Sequence, residues 1–209
     1  MVAREATHGK KKFLVFLALY IVLDCIDFLL TYIGTPDLMR EANPLVMVYG
    51  YGWVALIISA IIHVLIFALI IYFVFARFKR SIISCEGFTQ YLSMLYFDRP
   101  DKFIWTFYRF PKVSVFWRYF AACMGYLFVI TSLLTKMLAI VEWIGILSNN
   151  YSLYINYYII SITYFGSASE RIKLAIACAA VWLLAMYLWY YREYRINKRA
   201  LAQINNGNI

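Results

Sequence analysis

The chain has 209 residues, of which 64% are hydrophobic, 20% aromatic and only 15% charged, and its formal net charge is +9. An ordinary soluble domain is about 45–50% apolar and about 25% charged, so this composition excludes a typical water-soluble protein and indicates a chain that lies mostly in lipid. Because Lys and Arg flank the apolar runs and no nucleic-acid-binding motif is present, we expect membrane lipids, and not nucleic acid, as partners.

Four apolar runs predict transmembrane helices, so the expected fold is an all-α, polytopic integral membrane protein with a single membrane domain. The first run is too long for a signal-peptide core and lacks a small-residue cleavage site, so we expect it to be a retained helix. At about 1.5 Å per residue, each run can cross a hydrocarbon core of about 30 Å. The predicted spans are residues 13–34, 52–76, 119–141 and 172–191.

Two segments between the spans are less apolar. Residues 77–118 mix basic and aromatic residues at approximate helical spacing, which predicts one or two amphipathic helices resting on the membrane, with breaks at Pro100 and Pro111. A face that binds a cytoplasmic protein partner is the alternative for this segment. Residues 148–171 could form a short extra helix, an interfacial segment or a β-like flap.

The distribution of basic residues predicts the orientation in the membrane. Lys and Arg are concentrated near the N-terminus, within 77–118 and after residue 191, and the positive-inside rule places these segments in the cytoplasm. We therefore expect a plasma (inner) membrane protein with both termini cytoplasmic. A fifth crossing at 151–167 would place a basic terminus outside, so we favour four crossings.

One face of the first predicted span is polar. The residues on this face are spaced four, three and four apart, as neighbours on a helix are: Tyr20, Asp24, Asp27 and Thr31. Ionisable groups in hydrocarbon cost a few kcal/mol each, so they usually face the interior of a helical bundle and have a function. Asp24 is about 17 Å from the cytoplasmic end of the span, near the membrane midplane.

The second predicted span also carries polar residues on one face, because Ser59 and His63 are four residues apart. In an antiparallel hairpin, Asp24 and His63 lie at similar depth, and Asp27 lies level with Ser59. Two carboxylates one turn apart in low dielectric do not both ionise freely unless a cation is near. A protonated His63 could supply that charge.

The hairpin between these spans, GTPDLMREANPLV, has the most specific pattern in the chain. Asn43 before Pro44 favours a turn, and Glu41 could reach back to a helix end. The pattern of Asp and Thr near the outer end of one span, followed by Glu-Ala-Asn-Pro-Leu opening the next, resembles a family of small prokaryotic membrane proteins classed only as a domain of unknown function.

This resemblance covers residues 24–63, and the positions that carry it lie on the first span and the hairpin: Asp27, Thr31, Glu41, Asn43 and Pro44. In that family the second span often carries a lysine in its middle, where this sequence has His63. The resemblance implies a two-helix polar hairpin and no particular activity.

Two other features of the spans bear on the site. Lys136 could pair with Asp27 or Glu41 across the bundle, or its long side chain could reach the outer interface, and we favour the interface. Five aromatic residues near span ends are expected to lie in an aromatic belt at the membrane surface: Trp53, Trp117, Trp143, Trp189 and Tyr190.

Three functional hypotheses follow. The first is a homo-oligomeric protein that binds or conducts an ion, a proton or a small polar ligand through Asp24, Asp27 and His63. The second is an intramembrane enzyme that uses a divalent metal held by these three residues and Glu41. The third is a sensor or assembly subunit that signals to a cytoplasmic partner through residues 77–118. The polar residues could also serve only to fix helix packing.

Overall fold

The computed structural model describes residues 2–39, 41, 43–100, 111, 113–148 and 155–205. Within these ranges the chain is helical and contains no strand, which confirms the predicted all-α class. The helices are α1 (Val2–Gly34), α2 (Pro44–Met47), α3 (Trp53–Ile71), α4 (Phe88–Phe97), α5 (Val113–Leu147), α6 (Ile155–Phe165) and α7 (Ala168–Asn205). A π-helical segment, Tyr72–Arg77, continues α3.

Four of the described helices are long and apolar enough to cross a membrane, so the protein is a multi-pass integral membrane protein. These candidate spans are Lys10–Gly34, Trp53–Arg77, Val113–Leu147 and Ala168–Ile204. The last two have 35 and 37 residues, so each is longer than 50 Å and extends beyond a core of about 30 Å. By contrast, α6 has 11 residues and is too short to cross the core.

One part of the helical bundle is built around α1, which packs against both α3 and α5. Aromatic and branched residues from the three helices form a buried cluster: Tyr20, Phe67, Ile71, Val129 and Leu133. The ring of Tyr20 stacks on that of Phe67 with centroids 4.0 Å apart. This cluster lies one turn from Asp24 on α1 and so fixes which face of α1 is turned inward.

A second core surrounds α4, which packs against α5 and α7. Tyr91 and Leu95 of α4 are buried against Tyr119 and Cys123 of α5 and against Trp189 of α7. The apolar face that predicted a helix resting on lipid is therefore covered by protein. The rest of the predicted interfacial segment, residues 101–110 and 112, lies outside the described residues.

The aromatic-belt prediction is wrong for Trp143 and Trp189. Both side chains are buried, with exposed fractions of 6% and 3%. The reason is tertiary packing: the Trp143 ring lies against Gly34 of α1, and the Trp189 ring packs beside Phe78 and Tyr119.

The segment between the π-helix and α4 has no helical hydrogen bonds of its own, and side chains from α5 and α7 replace them. The hydroxyl of Tyr119 accepts the backbone N–H of Ser81 at 2.7 Å. The Asn197 side chain accepts the N–H of Ile83 and donates to its carbonyl, each at 2.8 Å. Buried backbone groups need such partners, so the segment is held in one conformation.

A close approach between α1 and α5 occurs at Gly34, where an added Cβ would lie 2.6 Å from the Trp143 ring. We expect Gly34→Ala to lower the free energy of unfolding by about 1–3 kcal/mol, because the buried ring must move. Equilibrium unfolding in mixed micelles measures this change. In a Trp143→Leu background the same substitution should cost much less, and an equal cost in both backgrounds would contradict the contact.

Candidate functional site

An ion-paired cluster lies between α1 and α5. The Lys136 Nζ is 2.6 Å from a carboxylate oxygen of Asp24 and 2.8 Å from one of Asp27. All three side chains are largely buried. The prediction that Lys136 reaches the outer interface is therefore wrong, because the close packing of α1 and α5 brings its ammonium between two carboxylates.

The spacing of polar residues on α5 favours this pairing. Ser132 and Lys136 are four residues apart, as are Thr131 and Thr135, so α5 carries a polar face like that of α1. Two polar faces on neighbouring spans are expected to meet, because lipid offers neither of them a hydrogen-bond partner.

The cluster lies on the wall of a cavity of about 360 Å³ between α1, α3 and α5. Every residue that the sequence nominated for the site lines this cavity: Tyr20, Asp24, Asp27, Thr31, Glu41, Asn43, Ser59 and His63. The structure adds four hydroxyl or ammonium side chains from α5, namely Thr131, Ser132, Thr135 and Lys136. The cavity therefore combines both polar faces with the hairpin.

His63 lines the cavity but does not provide the charge that was considered for Asp24. Its Nδ1 is 2.9 Å from the backbone carbonyl oxygen of Ser59. A carbonyl can only accept, so Nδ1 carries a hydrogen and donates it to Ser59. The cationic partner of Asp24 is Lys136 instead.

The hairpin contributes a third carboxyl group to the cavity. Glu41 accepts the backbone N–H of Asn43 at 2.9 Å and a hydrogen bond from the Thr31 hydroxyl. Asn43 in turn accepts the N–H of Leu45 at 3.0 Å and so caps the start of α2. Burial raises the pKa of Glu41 above its ordinary value, and the charge of Asp27 adds to that rise.

The hairpin is tied to the ends of both spans. The indole N–H of Trp53, at the start of α3, donates to the carbonyl of Pro36 at 2.8 Å. Thr35 donates to the Asp37 carboxylate at 2.9 Å. These short-range bonds explain why Glu41 and Asn43 stay at the mouth of the cavity.

A second opening reaches Asp24 from the side. An apolar crevice of about 390 Å³ lies between α1 and α3, lined by Asp24 and by residues such as Ile21, Ile57 and Leu65. Several of its lining side chains are exposed and face the lipid. Asp24, Phe28 and Ala60 line both the polar cavity and this crevice, so the two spaces adjoin at Asp24.

The residues nominated as metal ligands do not converge on one point. Among the described residues, no group of three His, Cys, Asp or Glu side chains is placed to hold a metal ion. The position between the carboxylates of Asp24 and Asp27 is taken by the Lys136 ammonium. The arrangement does not fit the metal-dependent hypothesis.

No protein-family model, curated protein or solved structure matches this chain. The fold and the spans place it in the class of small multi-pass membrane proteins. The resemblance of residues 24–63 to a domain of unknown function stays a prediction.

We expect Lys136→Gln to lower the free energy of unfolding by about 3 kcal/mol or more, because it leaves two acids unbalanced in a water-poor site. Thermal or denaturant unfolding in detergent measures this loss. The triple variant Asp24→Asn, Asp27→Asn, Lys136→Gln should recover most of it, and Lys79→Gln, at an exposed position, should cost little. Full stability of the single Lys136 variant would contradict the ion pair.

The raised pKa of Glu41 predicts a pH dependence of stability. The folded protein keeps the Glu41 proton to a higher pH than the unfolded chain, whose pKa is near 4.5. Unfolding free energy therefore falls as the pH rises through the folded pKa. Measured from about pH 4 to pH 7, Glu41→Gln should flatten this decline, whereas the exposed Glu86→Gln should follow the wild type. Identical curves for Glu41→Gln and wild type would refute the effect.

Proposed function

We propose that this protein binds a small cation, either a proton or a compact ammonium or alkali ion, in the cavity beside Asp24 and Asp27. The observation that carries the proposal is that a cation already occupies this place: the ammonium of Lys136 contacts both carboxylates. A site that holds the ammonium group of a lysine has the negative charge and the hydrogen-bond acceptors that a free ammonium ion needs.

The charge balance supports a cationic ligand. With both aspartates ionised, Lys136 neutralises only one of the two negative charges, and Glu41 adds a third carboxyl group to the same cavity. In a site with few waters, an unbalanced negative charge attracts a cation much more strongly than it does in bulk water. An anionic ligand would meet repulsion instead.

Lys136 would act as an internal competitor. Binding of a free cation between the carboxylates displaces the ammonium, and departure of that cation lets Lys136 return. The cluster then has two arrangements, one with Lys136 between the carboxylates and one with Lys136 displaced. The ligand shifts the equilibrium toward the displaced arrangement because it binds only to that one. The imidazole of His63 lines the same cavity, and imidazole is a common proton-handling group, so a proton is included among the proposed occupants.

We also propose that the basic ends of the spans lie in the cytoplasm, with the protein in the plasma membrane of a prokaryote. Lys12, Arg80 and Arg192, from three different parts of the chain, border one cavity and therefore lie at one end of the bundle. The positive-inside rule makes this the cytoplasmic end. The mouth formed by Glu41 and Asn43 then faces the outside.

A second candidate ligand is a cationic amphiphile. The lateral crevice would receive its alkyl chain, because that crevice is lined mostly by apolar side chains and ends at Asp24. The charged head would reach the same carboxylates. An alkylammonium series distinguishes the two, because binding that strengthens by about 0.8 kcal/mol per added CH₂ indicates use of the crevice.

The test compares cation binding in three purified proteins at constant ionic strength. We expect protons, sodium, potassium or methylammonium to stabilise the wild type, with choline chloride as the bulky control. Lys136→Gln should bind the effective cation at least about tenfold more tightly, because the internal competitor is gone. Asp24→Asn, Asp27→Asn, Lys136→Gln should fold and bind none of them.

Equal responses in all three proteins would refute the site. So would a Lys136→Gln protein that binds cations more weakly than the wild type, because that result would make Lys136 a ligand-binding group instead of a competitor. Calorimetry and the shift in thermal unfolding both report the affinity.

A further inference from the structure

A second cavity, distinct from the one between α1, α3 and α5, lies at the opposite end of the bundle. It has a volume of about 120 Å³ and is bordered by α1, the π-helical segment and α7. Since one water molecule takes up about 30 Å³ of liquid, the space can accommodate a group larger than a single water. Its polar lining comes from Lys12, Arg80, Trp189, Arg192 and Glu193.

Two residues that line this cavity each carry a buried hydrogen-bond donor with no acceptor within the described part of the chain. The indole N–H of Trp189 and the Nε of Arg192 are both buried and unbonded. Trp189 as a whole is 97% buried, since its exposed fraction is 3%. A buried donor without a partner costs about 1–3 kcal/mol, so two of them in one cavity indicate an absent acceptor.

The charges around the cavity identify the acceptor as an anion. Among the described lining residues, Lys12, Arg80 and Arg192 are positively charged and Glu193 is negatively charged, so these four side chains have a net charge of +2. Glu193 is already engaged, accepting from Arg80 at 2.6 Å and from Arg192 at 3.0 Å. It therefore aligns the two guanidinium groups without cancelling their charge.

Arg192 is held in place on its other side as well. Its guanidinium lies over the ring of Tyr126, 4.5 Å from the centroid. Arginine presents several N–H groups in a fixed plane that suits phosphate oxygens, and here the plane is positioned before any ligand arrives.

We propose that this cavity binds the phosphate group of an anionic phospholipid from the adjoining leaflet. Lys12 and Arg80 lie within three residues of the ends of two candidate spans, and Arg192 directly follows the sequence-predicted span 172–191, which is the depth expected for lipid headgroups. A neighbouring groove of about 300 Å³ shares Arg192 with the cavity and is lined by apolar as well as basic residues. It would receive the glycerol backbone and the start of an acyl chain.

The experiment follows the Trp189 indole by ¹H–¹⁵N NMR in a nonionic detergent. The chain has 6 tryptophans, and Trp189→Phe identifies the resonance by its loss. The protein is titrated with dihexanoyl phosphatidylglycerol, with dihexanoyl phosphatidylcholine and with inorganic phosphate at constant ionic strength. We expect phosphatidylglycerol to shift the indole signal saturably, and the net-neutral phosphatidylcholine to bind at least about tenfold more weakly.

Two matched pairs of variants test the position of the site. Arg192→Gln and Lys12→Gln remove charges that border the cavity, whereas Lys198→Gln and Lys11→Gln remove exposed charges that border neither the cavity nor the neighbouring groove. We expect at least about tenfold weaker phosphatidylglycerol binding for Arg192→Gln and a smaller loss for Lys12→Gln. The two control variants should bind nearly as the wild type does.

Each outcome decides the proposal. Saturation by inorganic phosphate as tight as that by phosphatidylglycerol would overturn the lipid and leave a free-phosphate site. An indole signal unmoved by any of the three compounds would overturn the site itself. Equal losses in the cavity and control variants would show general charge attraction instead. If Arg192→Gln does not fold, the Lys12 and Lys11 pair and the wild-type titration still decide.

Discussion

The rest of the structure depends on the contact of one ammonium with two carboxylates inside the membrane. Burying a charged side chain alone in hydrocarbon is costly, and this holds for Asp24, Asp27 and Lys136. Pairing the two carboxylates with the ammonium lowers that cost for all three. The pairing turns the polar face of α1 toward α5. It thereby places the hairpin after α1 over the space between the helices, and the cavity results from that placement.

The described residues form two cores, one between α1, α3 and α5 and the other where α4 packs against α5 and α7. The membrane core, around Tyr20 and Phe67, is apolar apart from the ion-paired cluster at its edge. The other core, around α4, is rich in tyrosine and bonds the non-helical segment before α4 through Tyr119 and Asn197. We have proposed ligands of opposite charge for two cavities, one beside Asp24 and one beside Arg192.

The position of Lys136 between the two aspartates also bears on the metal-site and structural hypotheses. A metal site needs its ligands free to converge, whereas here a lysine fills the position between the acids. A purely structural role would explain the ion pair, yet it would not explain why the surrounding 360 Å³ cavity is lined by so many hydroxyl and carboxyl groups. A packed interface normally leaves no such space. The cavity is therefore the observation that favours the proposed binding site over a purely structural salt bridge.

The sequence by itself determined the all-α class, the four spans and the polar face of α1, because these depend on apolar run length and helical spacing within one segment. It also nominated Glu41 and His63 for the site, and both border the cavity. Only the tertiary structure decided that Lys136, and not His63, pairs with the aspartates. Depth along the membrane is readable from residue counts, but the rotation of each helix about its axis is set by packing between helices. The sequence therefore does not distinguish His63 from Lys136 as the cationic partner of the aspartates. The packing of α5 on α1 shows that the partner is Lys136.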